Sequence, residues 1–164
     1  MEKAFETMKQ ATEAFMKTMD DTDKKIAQLD KKIKALREQL EPMEVEVLEL
    51  SSKLRETEHA LHDKLNKVKR VRRLYLNAKT DNQLKMYEKD YHQLMKEVHK
   101  LDKKLGELKK QYDKLVQKEE KLLQKEMELE AQKAELYHTR ERVMKQATQM
   151  MGRLSSKINR TRNA

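Results

Sequence analysis

A heptad repeat of apolar residues runs through most of this chain and constrains its fold more than any other feature. Alternating steps of four and three residues from Met1 to Ala78, and of three and four from Leu84 to Lys157, visit 45 positions, of which 36 are apolar. At the chain's 37% hydrophobic content, chance would fill roughly 17 of them. Apolar residues sustained at the a and d positions of heptads predict coiled-coil helices.

The composition excludes an ordinary globular domain. Charged residues make up 41% of the chain and aromatic residues 4%, and there are two glycines and one proline. These proportions are typical of long helices and coiled coils. A disordered chain can be equally charged, but it would not keep apolar residues in register, so the repeat excludes disorder.

The two halves of the repeat are out of phase with each other near the midpoint of the chain. Ala78 and Leu84 are six residues apart, whereas an unbroken heptad pattern needs seven. The residues between them begin with the polar, helix-poor segment KTDN, and Thr80 and Gln83 have the spacing of a capping box. We therefore predict a turn at residues 79–82.

A turn at this place lets the two apolar stripes face each other in antiparallel register. Facing seam positions then sum to 162, as Tyr75 does with Tyr87 and Leu36 does with Glu126. The sequence thus predicts an all-α fold, a long antiparallel coiled-coil helical hairpin forming one elongated domain. Its predicted parts are arm 1 at residues 1–78, the turn at 79–82, arm 2 at 83–158 and a basic tail at 159–164.

Pro42 is the single helix breaker inside the first arm. Proline removes one backbone hydrogen bond and crowds the preceding turn. The heptad phase nevertheless continues from Leu40 to Met43 and Val47, which favours a continuous helix with a kink near the proline. The alternative is a break, with Pro42 at the first position of a new helix.

Four charged residues interrupt the apolar seam of the second arm at seven-residue intervals. They are Glu119, Glu126, Lys133 and Arg140, and the residues predicted to face them are Met43, Leu36, Leu29 and Thr22. One interpretation is that these long side chains snorkel out of a two-helix seam. The other is that they pair between chains in a larger assembly, since polar residues at a positions set register and oligomeric state.

Apolar residues beside the seam favour the larger assembly. A two-helix hairpin has a thin core, and a widened apolar stripe recruits further helices. We predict a homodimer or a hetero-oligomeric bundle of helices. The predicted oligomer interface comprises Val45, Leu48, Val116, Leu123, Glu119 and Glu126.

Basic residues are clustered around the predicted turn. Residues 64–89, here called the basic tip, hold nine bases and two acids, and residues 140–164 hold seven bases and one acid. A charge run can be a solvated helix face, but it can also bind lipid headgroups, an acidic protein surface such as a tubulin tail, or nucleic acid. Nucleic acid is least favoured because no stacking aromatic residues are interleaved with the bases. The predicted anionic-surface residues are Lys64, Lys67, Lys69, Arg70, Arg72 and Arg73.

Methionine is concentrated near the two chain ends, which the hairpin would bring together. Seven of the 11 methionines lie within residues 1–19 and 144–151. This concentration is compatible with an ordinary seam, or with an adaptable surface for a partner, because methionine is a pliable side chain.

No motif of catalytic chemistry is present. The predicted register places cations opposite histidines, as Lys103 opposite His59, and cations repel a metal ion. There is no glycine-rich phosphate loop, HExxH motif or nucleophile elbow. We therefore expect no metal, no cofactor and no enzymatic activity.

These features together predict a non-enzymatic coiled-coil scaffold or adaptor. It would assemble with itself or with partner helices, and its basic tip would contact an anionic surface. One alternative is a membrane-associating module, because long helices with basic tips are similar to BAR-type membrane-shaping domains in shape and charge. Another is a cytoskeletal linker that binds microtubules. The absence of cysteine and of a secretory signal favours the cytoplasm, with a peripheral membrane or cytoskeletal location as the alternatives.

Overall fold

The structure, a computed structural model, describes residues 2–163, and at Asn163 the backbone alone. Two helices account for nearly all of it: α1 spans Glu2–Leu76 and α2 spans Asp81–Asn163. No strand occurs between residues 2 and 163. The two helices pack against each other, which confirms the predicted all-α helical hairpin. The seam position predicted at Met1, and Ala164 of the predicted basic tail, lie outside the described residues.

The turn between the helices spans residues 77–80, overlapping the predicted 79–82 but starting two residues earlier. The N–H of Gln83 donates to Thr80 Oγ1 over 3.2 Å. The N–H of Lys79 donates to Gln83 Oε1 over 3.2 Å. Thr80 is therefore the N-cap, and α2 begins at the residue that follows it. The predicted reciprocal capping is confirmed, although Gln83 accepts from Lys79 and not from Thr80 itself.

The helix α1 continues through Pro42 without a break. The alternative of a new helix that begins at the proline is therefore wrong, while the predicted kink stays a prediction. Leu40 is fully buried, and Met43 and Val47 are half-buried. Because these seam residues on both sides of Pro42 are covered, their packing offsets the hydrogen bond that the proline removes.

Packing divides the hairpin into two compact units. The first unit comprises Met1–Gln39 and Leu122–Ala164, and the second comprises Leu40–Lys121. Among the described residues, Ile26 and Leu29 are the buried apolar side chains of the first unit. In the second unit, Leu40, Val98 and Leu105 are buried. All five are seam positions, so the heptad repeat identifies the core of each unit.

Two threonines are buried at seam positions, one in each unit. Thr22 donates its hydroxyl to the carbonyl oxygen of Thr18, and Thr57 donates to that of Lys53, each over 2.8 Å. These bonds to the preceding helical turn give both hydroxyls a partner, so neither threonine leaves an unpaired polar group in the seam.

Contacts between the helices follow the predicted register to within one residue. In the first unit, Arg37 pairs with Glu126, and their numbers sum to 163. In the second unit, Lys64 pairs with Glu97, and the sum is 161. The helix α2 also extends to Asn163, so the predicted basic tail is helical as far as it is described.

Replacing Leu40 by alanine should lower the free energy of unfolding by roughly 2–5 kcal/mol, because a fully buried leucine loses its packing. Chemical denaturation followed by circular dichroism measures this change. Met127 is 73% exposed, so Met127→Ala is the matched control and should change the free energy by less than about 0.5 kcal/mol. Equal effects of the two substitutions would contradict the burial of Leu40.

Candidate helix-docking and anionic-surface sites

Three of the four charged seam residues form ion pairs across the first unit. Glu126 Oε1 lies 3.2 Å from Arg37 Nε, and Lys133 Nζ lies 2.6 Å from Asp30 Oδ1. Arg140 Nε lies 3.4 Å from Asp23 Oδ1. The charges recur every seven residues on both helices, so the pairs form a regular ladder beside the seam.

Each pair joins the seam charge to the residue that follows its predicted seam partner. Glu126 was predicted to face Leu36 and instead reaches Arg37. The head of each charged side chain thus reaches the flank of the seam, where an opposite charge is available. These three charges have partners within the chain, whereas the interpretation that the side chains snorkel into water stays a prediction, because Glu126 Oε2 and Arg140 Nε are buried.

The ion pair of Asp30 and Lys133 affects the pKa of the lysine. The hydrogen bond to the Asp30 carboxylate raises the pKa of the Lys133 ammonium. This shift identifies the pair as an interaction between charged forms, although both side chains are partly exposed and the gain is modest.

Glu119, the fourth charged seam residue, has a different environment. It belongs to the second unit, and the residue after its predicted partner Met43 is Glu44, also an acid. The Oε2 atom of Glu119 is buried and accepts no hydrogen bond. Burial of a carboxylate oxygen without a donor is unfavourable. The regular placement of opposite charges therefore does not extend to Glu119.

Apolar residues of the predicted oligomer interface are exposed close to Glu119. Val45 is 55% exposed and Leu48 is 70% exposed, while Val116 is half-buried. Val116 precedes Glu119 by three residues and therefore shares its side of α2, as Leu48 shares the side of Glu44 on α1. These residues form the candidate helix-docking site of the second unit.

The remaining two interface predictions lie in the first unit. Leu123 is half-buried, and Glu126 is paired with Arg37. Glu126 therefore has a partner inside the hairpin through Oε1, while its Oε2 is buried and accepts no hydrogen bond, as at Glu119.

A methionine-lined groove lies in the first unit. It has a volume of about 340 Å³, and its lining includes Phe15, Met16, Met19, Met144 and Met151. Thr12 Oγ1 donates to the carbonyl oxygen of Met8 over 2.7 Å and also lies 3.7 Å from Met151 Sδ, so the two helices are in contact beside the groove. Met16 and Met144 remain more than half exposed, so the groove offers pliable apolar side chains to a partner.

The basic tip lies in the second unit, and one of its predicted residues has a structural role. Lys64 occupies a seam position, and its Nζ lies 2.6 Å from Glu97 Oε2. The hydrogen bond from Lys64 lowers the pKa of the Glu97 carboxyl, and the charge of Lys67 adds to the effect. The Lys64 charge is thus committed to the hairpin, whereas Lys67, Lys69, Arg70, Arg72 and Arg73 are exposed.

Exposed apolar residues lie close in the sequence to these bases. These apolar residues were not predicted from the sequence. Leu74 is 43% exposed, Leu76 is 72% exposed and Met86 is 52% exposed. None of the three belongs to the heptad seam, and all lie within six residues of the turn. Their exposure could have been predicted from their positions off the seam, because an apolar residue there is not covered by the partner helix.

Aromatic side chains line a groove together with two of these bases. A groove of about 540 Å³ in the second unit is lined in part by Lys69, Arg72, Tyr75, Tyr91 and His92. The rings of Tyr91 and His92 meet edge to face, with their centroids 5.8 Å apart. The predicted basic residues Lys69 and Arg72 therefore stand beside amphipathic rings and not only in a solvated row.

Residues 2–163 contain no group of three or more histidine, cysteine, aspartate or glutamate side chains arranged to hold a metal ion. Neither described helix contains a segment long and apolar enough to cross a membrane.

Comparisons with protein-family models, with curated proteins and with solved structures gave no match to this chain.

The Glu97 carboxyl should titrate below the ordinary glutamate range, and Lys64→Met should return its pKa toward that range. Because the folded-state pKa is lowered, the ion pair stabilises the hairpin above the ordinary pKa of glutamate. This contribution is lost as the pH falls through the folded-state pKa. Carbon-13 NMR titration of the Glu97 side chain measures it. Lys67→Met is the control and should shift the pKa less; a larger shift would contradict the contact with Lys64.

Exchanging the charges of Asp30 and Lys133 tests the ion-pair ladder. Each single variant, Asp30→Lys or Lys133→Asp, should lower the free energy of unfolding because it places like charges together. The double variant should recover stability, because it places opposite charges together again. Urea denaturation of the four proteins measures this recovery, and strictly additive losses would show that the two side chains do not interact.

Proposed function

We propose that this protein is a non-enzymatic helical scaffold that assembles with itself or with partner helices and contacts an anionic surface through its basic tip. The main observation in support is that few apolar side chains are buried between the two helices while several large ones are exposed. Among the described residues, five apolar side chains are buried, while large ones such as Leu48 and Leu76 are at least 70% exposed. Exposed apolar surface of this extent is typical of proteins that bind partners.

The helix-docking site of the second unit supports assembly through helix packing. Leu48 and Val45 offer exposed apolar contact, and Glu119 on the facing helix offers a carboxylate near the same level of the predicted register. A partner helix that carries an apolar stripe with a lysine or arginine at one flank would satisfy both. A second copy of this chain carries such helices, because its own seam is flanked by bases.

Contact with an anionic surface is supported by the exposure of the bases at the tip. Lys67, Lys69, Arg70, Arg72 and Arg73 are exposed and lie within seven residues of one another. Charges of one sign held together on a helix attract anions at distances up to about a Debye length, about 8 Å at physiological ionic strength. We place this contact inside the cell, as the lack of cysteine favours.

Self-assembly is tested by the variant Val45→Lys/Leu48→Lys. If the protein associates through this site, the variant should have a lower molar mass than the wild type, because unpaired charges oppose burial of the interface. Sedimentation equilibrium measures the mass, and circular dichroism verifies that the variant remains helical. A monomeric wild type would exclude self-assembly and leave partner helices as the proposed ligand.

Contact with an anionic surface is tested by co-sedimentation with anionic vesicles and with microtubules. The variant Lys69→Glu/Arg70→Glu/Arg72→Glu/Arg73→Glu should lose at least about tenfold in affinity, because each base near a charged surface contributes to binding. The control Lys103→Glu/Lys104→Glu/Lys109→Glu/Lys110→Glu makes the same change in net charge at exposed residues of α2. If both variants bind equally, the tip is not the site; if the wild type binds neither surface, the proposed contact is wrong.

A further inference from the structure

We infer that the surface contacted by the tip is an anionic lipid bilayer, into which Leu74, Leu76 and Met86 insert. This inference rests on the proposed contact of the tip with an anionic surface and names the partner. It starts from three apolar side chains that the hairpin leaves uncovered. Each is more than 40% exposed, and Leu76, the last residue of α1, is 72% exposed.

The turn brings bases and apolar side chains to the same place. Arg72 and Arg73 lie in the last turns of α1, Lys79 lies in the connecting segment, and Lys85 lies in the second turn of α2. All four are exposed. Leu74 follows Arg73 directly, Leu76 lies two residues further on, and Met86 follows Lys85. The end of the hairpin therefore presents positive charge and apolar groups together.

An anionic bilayer is the surface that matches both properties. Its headgroups attract lysine and arginine, and the acyl region just beneath accepts leucine and methionine. An acidic protein tail would bind the bases but would leave the protruding leucines in water. A solvated charge run would gain nothing from them either. The cytoplasmic leaflet carries the anionic lipids, which agrees with the proposed cellular location.

Two tyrosines lie near the bases of the tip, where their amphipathic rings could contact the boundary between headgroups and acyl chains. Tyr75 and Tyr91 line the groove that also contains Lys69 and Arg72, and they are 41% and 37% exposed. Tyrosine is favoured at the boundary between headgroups and acyl chains, because its ring is apolar and its hydroxyl is polar. In a bound protein these rings would lie at headgroup level while the residues of the turn lie deeper.

Insertion can be measured with a single introduced tryptophan, because the chain contains none. Leu76→Trp places the probe at the turn, and Met127→Trp is a control at a residue of equal exposure, 73% against 72%. With phosphatidylcholine vesicles that contain phosphatidylserine, the emission of the Leu76→Trp variant should shift to shorter wavelength and be quenched by lipids brominated on the acyl chain. The emission of the control should not change.

Affinity provides a second readout. The variant Leu74→Ser/Leu76→Ser/Met86→Ser should bind phosphatidylserine vesicles at least about tenfold more weakly than the wild type, because burial of apolar side chains supplies part of the binding. Met127→Ser should bind as the wild type does. Circular dichroism verifies that the triple variant stays helical.

The outcomes separate this inference from the proposed function. Charge-dependent binding to vesicles without a change in tryptophan emission would overturn insertion and leave the anionic contact standing. Binding to microtubules but not to vesicles would overturn the lipid assignment in the same way. A wild type that binds neither surface would overturn the proposed contact and the inference together. A blue-shifted, quenched Leu76→Trp variant with an unchanged control supports the inference.

Discussion

The seam of apolar side chains between α1 and α2 is the interaction on which the rest of this structure depends. Each helix depends on burial of its apolar stripe, because most helical stability in proteins comes from such packing. The apolar stripe of each helix packs against the stripe of the other helix. A seam between two helices is narrow, however, and apolar side chains off the seam such as Leu48 and Leu76 stay exposed. The exposed apolar groups that support docking are therefore a direct consequence of the two-helix arrangement.

The narrow seam also explains how charged residues can occupy core positions. In a wider bundle, the side chains of Glu126, Lys133 and Arg140 would be trapped away from water at a high cost in free energy. Between two helices their heads can reach the flank of the seam, where they pair with Arg37, Asp30 and Asp23. The regular spacing of these pairs makes them suited to setting the register. At Glu119 the arrangement changes, because the residue after its predicted partner is Glu44, an acid.

Much of the fold could be predicted because it follows from local spacing. The heptad positions identified the buried residues Ile26, Leu29, Leu40, Val98 and Leu105, and the spacing of Thr80 and Gln83 identified the helix cap. The site was predicted less completely. Its bases were found because charge is visible in a sequence, but Lys64 proved to be paired with Glu97. Leu74, Leu76 and Met86 were missed because whether a side chain is covered depends on what lies across from it.

The sequence by itself determined that the chain forms two helices, which face they bury and where the chain turns, because heptad period, capping and turn preference act over a few residues. It also determined that bases gather around the turn. Only the tertiary structure decided that α1 passes through Pro42 intact. The tertiary structure also decided which neighbour each seam charge reaches and which apolar residues stay uncovered. These outcomes depend on how far a side chain extends toward a second helix, and that distance exists only once the two helices are packed together.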